Sequence, residues 1–345
     1  MKKFWVATGA VAIALVLFGT VGCSKPRRSG DGAKSEGKIT GSPSDPPVVF
    51  QAQWGPSNRY VFHSEITTST EMPRQGQARL AAQDSTLGLD YVVTVSNPRP
   101  NGSRSLALEL TSVQFEATLG ETPIISYDSL NKVVGTDDKV MSERLETIIG
   151  SKISFQVSAS NKVSNVKGIN EITDKLYNGG SVPAQAYVRR LLNAQYLRHL
   201  VDLLALPADP IQINATWPGQ ITLNAGPLTG ALTADVTYTF RGWQNHEERK
   251  CALVDFSGAV KPRGSGASSR SISSTVESGA LNGKSWFDPE LGMIIEHMTD
   301  HTATAKGSIR WRRATTNDPP QAFISTLRQH TSVKLVEFEV AKPAS

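Results

Sequence analysis

The feature that most constrains the fold is a two-residue alternation of apolar and polar side chains that recurs along the chain. It is cleanest where Leu228, Leu232, Ala234, Val236, Tyr238 and Phe240 share one parity and Thr233, Asp235, Thr237, Thr239 and Arg241 take the other. Successive side chains of an extended strand point to opposite faces, so such a segment has one buried face and one wet one. Tyr60, Phe62, Ile66 and Thr68 against His63, Glu65 and Thr67 repeat the pattern, as do Leu87, Leu89, Tyr91, Val93 and Val95. Asn97-Pro98 and Asn101-Gly102 mark the turn that follows. With 39% apolar residues over 345 positions, the chain can bury a real core in one large β-rich domain or two ordinary ones.

Departures from the alternation are equally informative. Leu106, Leu108 and Leu110 share one parity, and Val113, Phe115 and Ala117 share the other. Such a strand either carries a bulge near Thr111-Ser112 or passes from one sheet to another. A helical insertion is predicted over about 136–206. Thr136 or Asp137 caps a first helix bearing Met141, Leu145, Ile148 and Ile149, which Gly150 ends. Ile153, Phe155, Val157 and Ala159 alternate as a strand, Asn161-Lys162 turns, Val163 to Val166 returns, and Ile169, Ile172 and Leu176 restart a helix. A longer helix runs from Pro183 to Leu206. Its apolar residues fall on two sides: Tyr187, Val188, Leu191 and Leu192 on one, and Tyr196, Leu197, Leu200, Val201, Leu203 and Leu204 on nearly the opposite. It either breaks near Asn193–Gln195 or buries its halves against different partners. Beyond it, Cys251 to Val260 reads as a strand, Lys261 to Ser269 as a mobile Gly/Ser-rich loop, Asp288 to Gly292 as a hairpin turn and Val333 to Val340 as a closing strand.

The amino terminus carries an address. Lys2 and Lys3 precede an apolar run from Phe4 to Phe18, followed by Gly19-Thr20-Val21-Gly22 and Cys23, the order of an export signal. A Gly directly before a Cys resembles the lipobox of bacterial lipoproteins, with Thr20 standing where that family favours Leu. The resemblance implies that residues 1–22 are a cleaved lipoprotein signal peptide and that Cys23 is the lipidated, palmitate-type first residue of the mature chain. A membrane-spanning anchor is the other reading, because Phe4 to Gly22 approaches the ~20 apolar residues a bilayer core requires. Lys25, Arg27 and Arg28 balance Lys2 and Lys3, so flanking charge decides nothing. Both readings place the rest of the chain outside the cytoplasm. Ser24, where Asp would retain a lipoprotein at the inner membrane, resembles the outer-membrane sorting pattern. From Cys23 to Pro47 the composition turns to Lys, Arg, Ser, Gly, Asp and Pro, which reads as a disordered tether ahead of a domain over 48–341.

Tyr91 to Val95 leading into Leu106 to Phe115, Ile125-Ser-Tyr-Asp-Ser129, Val163-Ser-Asn-Val-Lys-Gly168 and the Trp286-Phe287-Asp288 hairpin resemble a β-rich family of bacterial lipoproteins of unknown function, over roughly Gln83 to Thr299. More loosely, the order of strands and helices resembles the LolA/LolB-type lipoprotein carriers. That resemblance implies a large curved antiparallel sheet, or open half-barrel, packed against helices: a mostly β fold with a helical insertion.

Tests for chemistry find little. The net charge of +5 includes Lys2 and Lys3, and the one basic-aromatic cluster, Arg310 to Arg313, reads as a solvated face or edge-strand guard, so no nucleic-acid partner is expected. Cys23 and Cys251 are the only cysteines; with Cys23 lipidated, Cys251 is a small buried hydrophobe. His297 and His301, beside Glu296, have zinc-ligand spacing for a helix, but on a strand four residues extend about 13 Å. His246-Glu247 reads as a polar turn, and Asp255, Asp288 and Glu296 form no recognisable acid–base pair. No catalytic residue, cofactor or metal is expected. The expectation is a lipid-anchored envelope protein acting as a non-enzymatic interaction or structural module. The alternatives are a periplasmic carrier for an apolar, lipid-like ligand and an unrecognised hydrolase. The partners would be the membrane, through lipid on Cys23, and an apolar ligand or another envelope protein.

Overall fold

A computed structural model describes residues 37–51, 53–72, 81–100, 102–131, 139–159, 162–178, 184–202, 209–226, 230–262, 267–268, 272–310 and 320–340. Cys23, the signal segment, the tether to residue 36, Thr136, Asp137, Pro183, Leu203–Leu206, Leu228 and Arg312 lie outside the described residues.

Among the described residues, thirteen strands form one curved, unclosed antiparallel sheet. They are β1 Arg59–Met72, β2 Ala81–Val95, β3 Arg104–Leu119, β4 Thr122–Asp128, β5 Lys152–Val157, β6 Val163–Lys167, β7 Thr216–Gly226, β8 Gly230–His246, β9 Arg249–Pro262, β10 Ala267–Ser268, β11 Ile272–Asp288, β12 Met293–Ile309 and β13 Gln321–Glu339. The order is β6-β5-β3-β2-β1-β13-β12-β11-β9-β8-β7, with β4 added to β3 and β10 to β11. The last strand lies beside the first, so the two halves of the chain are joined at β1–β13. The helices are α1 Lys139–Thr147, α2 Ile169–Tyr177, α3 Gln185–Leu191 and α4 Ala194–Asp202.

Strands of 17 residues, such as β8, β11 and β12, span about 56 Å at the usual rise. A pleat that long keeps twisting and curving only with local irregularities, and several occur here. The parity change read in β3 is one of them: Ser112 pairs with Asp90 and Leu110 with Tyr91, leaving Thr111 as the extra residue. In β8 the extra residue is Arg241, and in β12 it is Ile295. Gly242, next to the β8 bulge, has φ +123°, and a Cβ there would stand 2.6 Å from the carbonyl oxygen of Thr40. Its lack of a side chain lets Thr40 pair with Trp243 through two 2.8 Å backbone hydrogen bonds. Part of the segment that composition reads as tether, from Gly37 onward, is therefore laid against β8.

We call inner the sheet face whose side chains form two large buried clusters. The first joins β1–β5 to Met141 and Leu145 of α1, Ile172 and Leu176 of α2, Val188 and Leu191 of α3, and Leu197 and Leu200 of α4. The second joins β7–β9, β11 and the segment containing Val48 and Phe50; the Phe50 ring sits 5.5 Å from Phe240 and 5.2 Å from Phe287.

The helix expected over 183–206 is two. Leu192 is extended at φ −98°, ψ 92°, and the Asn193 side chain accepts a 3.0 Å bond from the Tyr196 N–H, capping α4 while its amide donates to the Arg189 and Arg190 carbonyls. The break re-aims the second half, so two apolar faces that would diverge on one straight helix join the same cluster. Two other extents differ from the sequence reading. Strand β5 stops at Val157, short of Ala159. Strand β13 begins at Gln321, twelve residues ahead of Val333, because Ser325, Gln329 and Thr331 occupy its buried positions and hide the alternation. The Asp288 turn is as expected: Asp288 Oδ1 accepts the N–H groups of Glu290 (2.8 Å) and Leu291 (3.1 Å).

Candidate functional site

Between the two clusters, on β1, β13, β12 and β11, inner-face positions carry Ser64, Gln329, Thr331, His297, Thr299, His301 and Ser285, all buried. A polar side chain at a buried position must find a partner or lose about 1–3 kcal/mol. Ser64 Oγ meets Tyr196 Oη of α4 at 2.6 Å and donates to the Ser332 carbonyl at 3.2 Å, which leaves the phenol as donor in the first bond. His297 is placed by β12 with its ring 5.3 Å from Phe256 and nearly parallel to it, its Nδ1 2.8 Å from Ser285 Oγ, and His199 of α4 at 6.2 Å. Burial first, and the neighbouring His199 second, push the His297 pKa down to about 3, so the imidazole is neutral at neutral pH. His297 Nε2 has no hydrogen-bond partner, nor has Tyr91 Oη, whose ring stacks on Phe62 at 5.3 Å. Burial, then Tyr196, holds the Tyr91 phenol well above its ordinary pKa, so it too is neutral.

These two orphan atoms belong to residues lining one cavity of about 50 Å³. Trp54, Phe62, Val93 and Met293 line it, as do Leu200 and Val201 of α4. Its described lining is otherwise aliphatic or aromatic, so the arrangement suits binding of an apolar molecule rather than proton transfer. The opposite sheet face carries polar troughs beside a small buried cluster of Cys251, Leu253, Trp286 and Ile295. One open trough there, of about 550 Å³, holds Arg241 and Asp255 at 3.3 Å, Lys284 and Asp300; a second, of about 350 Å³, shares Asp300, which pairs with His330 at 2.8 Å.

The residues tested for chemistry from sequence are dispersed. His297 and His301 both face inward from β12, and His301 has neither ring nitrogen bonded, burial pushing its pKa down to about 4. Among the described residues no group of three or more His, Cys, Asp or Glu is placed to hold a metal. Cys251 is buried in β9 with its thiol pushed up to about 12, chiefly by burial. Asp255 faces the outer trough, and Asp288, besides capping its turn, takes Arg249 at 2.9 Å. Glu296 meets His246 Nε2 at 2.5 Å. Glu247 and Glu248 form the β8–β9 turn with φ 47° and 64°, whereas His246 stacks on Trp286 at 4.2 Å. Sequence reading missed Ser64, Ser285, Tyr196 and His199. The available signal was a serine on the buried parity of a strand, as Ser64 is between Phe62 and Ile66.

No family model matches the sequence, and no curated protein matches it. Among solved structures, a lipovitellin structure described by its lipid–protein interactions aligns with a TM-score of 0.43 and 11% identity, over 85% of this chain. This chain spans about a quarter of that one, 26%. A Bacteroides fragilis protein with a YmcC-like fold gives 0.23 and 9%, and an outer-membrane channel from Pseudomonas putida gives 0.21 and 8%; each is covered in full by 85% of this chain. At these scores no function passes to the present chain.

Proposed function

We propose that the chain is a lipid-anchored protein of the bacterial cell envelope, held at the outer membrane through Cys23, whose half-barrel packs against helices and binds an apolar ligand beneath α4. The observation that carries this reading is the apolar cavity that Leu200 and Val201 of α4 help to line. At about 50 Å³ it is far smaller than the ~300–1,000 Å³ of ordinary ligand pockets, so an acyl chain enters only as α4 gives way. The break at Leu192 supplies a place for that movement, since α4 is joined to α3 by an extended residue. The role is binding, without catalysis or cofactor. An interaction module is the second reading, and the adjoining outer troughs that share Asp300 are what favour it.

Mass spectrometry of small molecules extracted from the purified mature chain is expected to find a single-chain amphiphile. A clean extract, together with no uptake of N-phenyl-1-naphthylamine on incubation, would sink the ligand reading and leave the interaction module. Anchoring has a separate test. Cys23→Ser is expected to move the protein from the membrane pellet to the soluble fraction; a variant that still pellets at unchanged processed size rules out the lipid.

A further inference from the structure

We infer that the cavity beneath α4 is a head-group pocket, in which Tyr91 Oη and His297 Nε2 bind the hydroxyl or protonated carboxyl group of an uncharged single-chain amphiphile. The inference rests on the ligand reading above and adds to it the chemistry of the ligand's polar end.

Size comes first. A cavity needs about 10–15 Å³ to admit one water molecule, so a cavity of about 50 Å³ has room for a small group such as a hydroxymethyl or carboxyl and is too small for a whole acyl chain. What is preformed is therefore the place for a head, and the tail lies where Leu200 and Val201 now line the space. Hydrogen bonding comes second. Tyr91 and His297 are 1% and 6% exposed, both line the same cavity, and each carries a polar atom without a partner among the described residues. Two orphans in one apolar cavity are matched by a group that both donates and accepts. The Ser285–His297 bond permits either imidazole tautomer, so Nε2 is a donor or an acceptor, while a phenol is both. A hydroxyl or a protonated carboxyl satisfies every combination, and an alkane satisfies none.

Charge selects the head further. The described lining holds no Lys or Arg, and the neutral imidazole offers no counter-charge. Burying a carboxylate or phosphate here would leave it uncompensated, at a cost larger than the hydrogen bonds return. The favoured ligand is thus a long-chain alcohol, a monoacyl ester of a polyol or an un-ionised fatty acid.

The test is displacement of N-phenyl-1-naphthylamine from the purified mature chain at pH 7.5 by dodecan-1-ol, dodecanoate and dodecane. Dodecan-1-ol is expected to bind about tenfold tighter than either of the others, the fold-change that restoring a buried hydrogen bond provides. Tyr91→Phe keeps the ring and removes only the orphan oxygen; it is expected to cut the alcohol-over-alkane preference to within about twofold while leaving dodecane binding unchanged. His297→Leu is expected to do the same, and Tyr91→Phe decides alone if that variant does not fold. Equal wild-type affinities for alcohol and alkane, or a preference that survives Tyr91→Phe, overturn the head-group assignment, leave the ligand reading standing and mark a cavity that holds ordered water only. Binding of none of the probes overturns both.

Discussion

Between pH 7 and pH 4.5 the folded domain is expected to lose about 5 kcal/mol of stability, roughly half of it from each of His297 and His301. Both are held neutral in the folded state, their pKa values pushed down to about 3 and about 4 by burial, whereas in the unfolded chain each takes up a proton near the usual ~6.5. A depressed folded pKa means that the unfolded state binds more protons as pH falls, so the stability present above about pH 6.5 is lost on the way down. His63 works in the other direction. Its bond to Asp90 at 2.6 Å raises its pKa, giving stability at low pH that is lost as pH rises, but its side chain is 39% exposed and solvent screens the effect. Asp90, lowered chiefly by the same bond, contributes stability that is present above the ordinary carboxylate range and is lost as pH falls into and through it. Urea unfolding at the two pH values measures the difference. His297→Leu and His301→Leu are each expected to remove about half of the pH dependence; a wild-type midpoint that is the same at both pH values would show that neither imidazole is buried and neutral.

Trp286→Ala is expected to cost about 4 kcal/mol, in the range for deleting a large buried aromatic. Trp286 is 1% exposed, packs with Cys251, Leu253 and Ile295, stacks on His246, and donates from Nε1 to Gln244 Oε1 at 2.6 Å. Gln244 in turn donates from Nε2 to the Gly37 carbonyl at 2.6 Å. Removing the indole leaves a cavity in a small cluster and an unpaired amide oxygen, and it loosens the residue that holds the amino-terminal segment to β8. Trp286→Phe keeps most of the ring but not the bond, so about half of the loss is expected to return. Guanidinium unfolding supplies the free energies, and amide exchange at Thr40 reports whether the segment detaches. A loss below about 1 kcal/mol in Trp286→Ala would mean that this cluster contributes little to the fold.

Much of the sheet was legible because strand periodicity is local. The alternation of Leu232 to Phe240 needs no knowledge of a partner strand, and the parity change near Thr111 appears in the sequence as the shift of the apolar set between Leu110 and Val113. The helix break was legible only as one of two alternatives, since apolar residues on opposite sides of one helix call either for a turn of the axis or for a separate partner on each side. Polar residues on buried faces obscured the rest. Strand β13 shows its alternation only from Val333 onward to a reader of hydropathy, although Phe323 is already buried and Leu327 joins the second cluster. His246 looked like a turn residue because its partners, Trp286 and Glu296, are 40 and 50 positions away and reach it across the bulges at Arg241 and Ile295.

What the sequence determined by itself is a β-rich domain, with turns at the Asn, Asp and Gly clusters and helices inserted between strands, because all of these follow from neighbours within a few residues. Only the tertiary structure decided which polar side chains lie inside and which of them find partners. Ser64 meets Tyr196, Ser285 meets His297, and Tyr91 and His297 share a cavity, because the register of strands distant in sequence, with α4 laid over them, brings together groups that no local pattern relates.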